Sequence, residues 1–133
     1  GYRVLGISNN AVPEYLYTVT ATRRSWASAN ADLVTRYVRA LAASFAMIRD
    51  PARRAAVVAA IVDITSVPPG IAERVLDLYA QPGRKALPLR GEIDPKGVAQ
   101  VIAFMAEAGR IQPPLPDAER FVDLRYLARA GVR

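Results

Sequence analysis

The chain has 133 residues, 52% of them apolar, and a formal net charge of +6, enough for one domain with a hydrophobic core and too apolar for a disordered chain. It contains no cysteine and no histidine, which excludes disulfides, thiolate nucleophiles, cysteine-ligated zinc or iron–sulfur sites, and the commonest general base. No ordinary catalytic set can be assembled from what remains, so neither enzymatic activity nor a cofactor is expected.

Taken in chain order, Tyr2–Ile7 has the apolar content of a strand, and Ser8-Asn9-Asn10 supplies turn chemistry before Pro13. From Tyr15 the residues alternate with a period of two, Tyr15, Tyr17 and Val19 against Leu16, Thr18 and Thr20, which predicts a second strand. Asn30 then stands where a side-chain oxygen can cap a helix, and Asp32 adds negative charge beside the positive helix end. Leu33, Val34, Tyr37, Val38, Leu41, Phe45 and Ile48 recur at steps of three and four, predicting one apolar stripe that ends at Asp50-Pro51. Pro51 opens an Ala-rich helix to about Asp63 with Ala55, Val58, Ile61 and Val62 facing inward, interrupted by Pro68-Pro69-Gly70. Ile71, Val75, Leu78 and Tyr79 mark a further helix closed by Gln81-Pro82-Gly83. Residues 85–93 read as extended, although Pro88 argues against a central strand. Asp94-Pro95 opens a helix carrying Val98, Val101, Ile102 and Met105, and Gly109 suits a left-handed residue after its end. The expected class is α/β and predominantly helical, a short N-terminal β part followed by about five helices.

Several of these residues together resemble the C-terminal part of the solute-binding proteins of ABC importers for nitrate, sulfonates, taurine and thiamine-precursor pyrimidines. Ala21, Thr22, Arg23, Trp26, Ala27, Asn30, Arg39, Ala40, Asp50 and Pro51 match a returning strand that ends in an Ala-Thr-Arg turn, a Trp-Ala pair, an Asn, and a long helix ending at Asp-Pro. Gly109–Ile111, Pro113–Pro116 and Asp123–Leu127 match the family's closing segment. The resemblance implies the C-terminal half of a two-lobed periplasmic-binding-protein-like fold. Residues 1–22 would end the second lobe and form the returning hinge strand, and residues 23–133 would form a helical part packing on the first lobe, as one compact unit. It further implies capture of a small polar or anionic solute, delivery to an ABC permease, and a periplasmic or extracellular location, with lipid or membrane association at the cell surface as an option. The chain begins at Gly1 with neither an initiator methionine nor an apolar leader, so a processed or truncated product is expected, with a missing N-terminal lobe or a second copy as its partner.

The candidate ligand-binding residues are Asn9, Asn10, Tyr15, Tyr17 and Arg23. Amides and phenols donate hydrogen bonds without a desolvated charge, and a guanidinium makes two-point contacts with sulfonate, nitrate or carboxylate. The same Asn pair equally serves a turn, the tyrosines pack in a strand, and Arg23 with Arg24 suits a surface ion pair. Trp26 reads as a core anchor for the strand-to-helix turn. Glu92, Asp94, Asp117 and Glu119, in loops or at helix starts, could only form a carboxylate site, and the places of Asp94 before Pro95 and Asp117 before a helix-prone run fit capping better.

The basic residues, of which only Lys85 and Lys96 are lysine, are dispersed along both halves of the chain. No nucleic-acid partner is therefore expected, and Glu73 and Asp77 oppose a recognition helix after the Pro-Pro-Gly turn. No uncharged apolar run approaches the roughly 20 residues of a membrane span, so none is expected. A free-standing helical protein-interaction module is the alternative function, with DNA binding a weaker third.

Overall fold

The computed structural model describes residues 3, 5–6, 11–12, 16, 18–80 and 87–131. Among them 66% are helical and none lies in a strand, so the α/β two-lobed expectation is replaced by a small helical domain. Of the strand expected from Tyr15 to Thr22, Leu16 and residues 18–22 adopt no regular structure, and residues 18–22 are all exposed. Alternation marks a pleated surface only where a neighbouring strand takes up the backbone groups and a second layer covers one face. Neither is available to these residues among those described. Of the strand expected at Tyr2–Ile7, the described Arg3, Leu5 and Gly6 are likewise irregular and exposed.

Two compact units divide the chain, Gly1–Ala29 with Ile93–Leu124, and Asn30–Glu92 with Arg125–Arg133. The boundary expected after residue 22 falls inside the first.

In the first unit, α1 spans Arg24–Ala29, a helix hidden in the sequence by the strand-like run before it. Its companion α5, Pro95–Glu107, is opened by Asp94, whose carboxylate accepts the Lys96 amide at 2.9 Å while Pro95 fills a first-turn position. The far end closes as a Schellman motif: Arg110 N–H donates to the Met105 carbonyl at 2.7 Å and Gly109 N–H to that of Ala106 at 2.9 Å. Gly109 has φ 67°, a conformation in which a side chain would be strained. A short 3-10 helix, Ala118–Phe121, is capped by Asp117 through the Glu119 amide at 3.0 Å and packs against α5. Ala27, Gly97 and Ala118 are the buried residues of these elements.

In the second unit, α2 spans Ala31–Arg49. Asn30 occupies its cap position but makes no side-chain capping bond. Its φ of −120° and ψ of 36° lie outside the extended region that aims a capping side chain at the free amides. Asp50 performs the expected stop: its carboxylate accepts the Ala52 amide at 2.9 Å and opens a 3-10 turn, Pro51–Arg53, that leads into α3, Arg54–Thr65. Ser66 ends α3 in the left-handed conformation, its amide bonded to the Val62 carbonyl at 2.8 Å. Helix α4, Pro69–Ala80, packs against α3 and α2, and the last helix α6, Arg125–Arg129, packs against α2. Arg39 Nε donates to the Ala130 carbonyl at 3.1 Å and so serves the final turn of α6.

The covered faces differ from those expected. On α2, Ala42 is buried and Val34, Val38, Leu41, Phe45 and Ile48 are half-buried, whereas Leu33 and Tyr37 are open. On α3 the buried residue is Val57, and Ala55 is exposed. On α4 the helix turns Ala72 and Leu76 inward and leaves the whole expected stripe, Ile71, Val75, Leu78 and Tyr79, exposed. Gln81-Pro82-Gly83 lies outside the described residues.

The orientation of α4 yields a direct test. Leu76 is 4% exposed and Leu78 is 45% exposed. Leu76→Ala is expected to cost about 2–5 kcal/mol and Leu78→Ala under about 1 kcal/mol in urea unfolding. A larger loss for Leu78→Ala would mean that α4 packs through its other face.

Candidate functional site

The expected ligand-binding residues divide sharply. Asn9, Asn10, Tyr15 and Tyr17 lie outside the described residues, and Arg23 is the one that the structure places. Arg23 precedes the first residue of α1, its carbonyl accepting the Ala27 amide at 2.9 Å. Its side chain is exposed and makes no hydrogen bond or ion pair among the described residues, so its guanidinium is open to a solvent-borne anion.

Its neighbour Arg24 is committed to structure. Arg24 Nη2 donates to the Arg120 carbonyl at 2.8 Å, and Nη1 lies 3.5 Å from Asp123 Oδ2. The carbonyl bond is short, whereas the ion pair is long and its arginine is exposed, and such pairs are worth about 0–1 kcal/mol. These contacts tie α1 to the segment around the 3-10 helix, within one unit. Trp26 corrects the sequence reading: it is 47% exposed, and its neighbour Ala27 supplies the buried contact of α1. The six-membered run of α1 offers one inward position, and the small residue takes it.

Three of the four carboxylates considered for catalysis serve the backbone, and Glu119 enters these contacts through its amide, to Asp117. Asp94 and Asp117 cap helix starts. Glu92 closes a turn, accepting the Leu89 amide at 2.8 Å on Oε1 and the Arg90 amide at 2.7 Å on Oε2, with Gly91 at φ 93°. Residues 87–92 are therefore a compact turn rather than the expected extended connection. Partial burial pushes the Glu92 carboxyl up, but hydrogen bonds from its own amide and those of Leu89 and Arg90, with the Arg49 guanidinium nearby, outweigh it and hold it below its ordinary value. Arg49 also fixes this turn directly, donating to the Leu87 carbonyl at 2.6 Å. Among the described residues no group of acidic side chains could hold a metal ion.

The α3–α4 pair carries an open groove of about 770 Å³ whose lining includes the apolar Ala55, Val58, Ala59 and Val62 and the acidic Asp63 and Glu73. Arg54 at its edge pairs with Asp77 at 2.8 Å, both side chains well exposed. The sequence pattern missed this groove because Ala55, Val58 and Val62 read equally well as core. The sign available was that α3 is apolar on nearly every side, more than one neighbouring helix can cover. Among the described residues no single helix is long and apolar enough to cross a membrane; α3 with its leading turn and α4 pass by length and composition only as a pair, bent by 116°.

Comparison with family models, with curated proteins and with solved structures finds no match. The likeness to importer solute-binding proteins therefore stands on its sequence motifs alone.

Two expected outcomes follow from these contacts. Arg24→Ala should lower stability by about 1 kcal/mol, and the loss should persist in about 1 M salt, where an exposed ion pair is screened. A loss that vanished in salt would assign the effect to Asp123 instead of the Arg120 carbonyl. For Glu92 the folded carboxyl is the stronger acid, so its contribution is present above the ordinary carboxylate range and is lost as pH falls through the folded value. Glu92→Gln should thus melt below the parent protein at about pH 7 and coincide with it near about pH 2. A gap unchanged in acid would show that the carboxylate charge plays no part.

Proposed function

We propose that this chain is the helical part of the solute-binding component of an ABC importer and takes part in capturing a small polar or anionic solute. One observation carries this: several residues of the resemblance stand at helix ends, although Trp26-Ala27 and Arg39-Ala40 lie within helices. Arg23 supplies the first carbonyl acceptor ahead of α1, Trp26-Ala27 lies within α1, and Asn30 precedes α2. Asp50-Pro51 closes α2 and caps the next turn, Gly109 ends α5, and Asp123 stands ahead of α6. The two-lobed α/β frame forms no part of the proposal.

Arg23 supplies the chemistry, because its exposed guanidinium can present two parallel N–H donors to a sulfonate, nitrate or carboxylate. One such contact in water is weak. Affinity for a small solute comes from enclosure on several sides, so other groups of the binding protein have to complete the site. Delivery to a permease at the outer face of the membrane belongs to the same proposal.

A second function, protein interaction through helix faces, is favoured by the exposed Ile71, Val75, Leu78 and Tyr79 on α4, which form a continuous apolar strip at steps of three and four.

Calorimetry with nitrate, taurine, an alkanesulfonate and an aminopyrimidine separates the two. The isolated chain is expected to bind none of them, and the full protein that contains it to bind at least one. Arg23→Ala in the full protein should weaken that binding by about 10-fold or more. Tight binding by the isolated chain would mean that the site is complete within it. Failure of the full protein to bind, with stoichiometric capture of a protein that Leu78→Asp abolishes, would replace solute capture with protein interaction.

A further inference from the structure

We draw no further inference here: the strongest candidate, the open apolar groove between α3 and α4 with the exposed Ile71–Val75–Leu78 strip beside it, carries nothing because no feature of the structure shows what covers it.

Discussion

Alanine fills most of the buried positions. Among the described residues the buried apolar set is Ala27, Ala42, Ala72, Ala118 and Ala130, with only Val57, Leu76 and Tyr126 larger. A buried methyl contributes about 0.8 kcal/mol, against about 1.5–3 kcal/mol for a fully buried Val or Leu side chain. Small residues at the contacts let helix backbones approach closely, and that closeness is what turns the larger neighbours outward. On α4, Ala72 and Leu76 define the covered face, so Ile71 and Val75, one step around the helix, and Leu78, further round, are left exposed. The exposed apolar faces and the thin core are two aspects of one arrangement.

With so little area buried, helix ends carry an unusual share of the specification. The same device occurs three times among the described residues: Asp50, Asp94 and Asp117 each accept the amide two residues on, at 2.9, 2.9 and 3.0 Å. Each cap contributes about 1 kcal/mol and fixes where a helix begins. Stops are equally explicit, with Ser66, Gly109 and Gly131 in the left-handed conformation after their helices. Arginines then connect segments through main-chain carbonyls, Arg24 to Arg120, Arg39 to Ala130, and Arg49 to Leu87. A guanidinium carries five fixed donors and suits this role, whereas a lysine would offer a single mobile point charge. The near absence of lysine thus finds a structural use.

What could be read from sequence follows from this division. Helix starts at Asp50-Pro51 and Asp94-Pro95 and the stop at Gly109 were legible because caps are local: a carboxylate or a missing side chain acts within a few residues. Strands were misread because alternation in residues 15–22 is a statement about a partner surface that the described chain lacks. The inward face of α4 was misread for a related reason, and that of α3 in part: Val58, Ile61 and Val62 are half-buried, but Ala55 is exposed. The inward residues were assigned by spacing, but the buried positions are Val57 on α3 and Ala72 and Leu76 on α4, and periodicity does not say which part of a broad apolar face meets its neighbour. Of the candidate site, only Arg23 is placed by the structure; its exposure agrees with the surface reading of the Arg23-Arg24 pair, although the helix start that it precedes was hidden by the strand-like run before it.

Arg23 and the open helix faces bear differently on function. An exposed guanidinium competes with water for any anion, so it selects charge and contributes orientation, but it holds a solute only when other groups exclude solvent around it. An open apolar strip works the other way: it gains free energy from any surface that removes it from water, with little chemical selectivity. A solute-binding role therefore places the demand on groups that enclose Arg23, and an interaction role places it on the shape of whatever meets α4. The absence of buried unpartnered polar side-chain atoms among the described residues bears on both. Nothing polar inside these helices waits for a ligand to satisfy it. On either proposed reading, recognition by the described part of the chain would fall to its surface, with Arg23 supplying direction in the one and the apolar faces supplying area in the other.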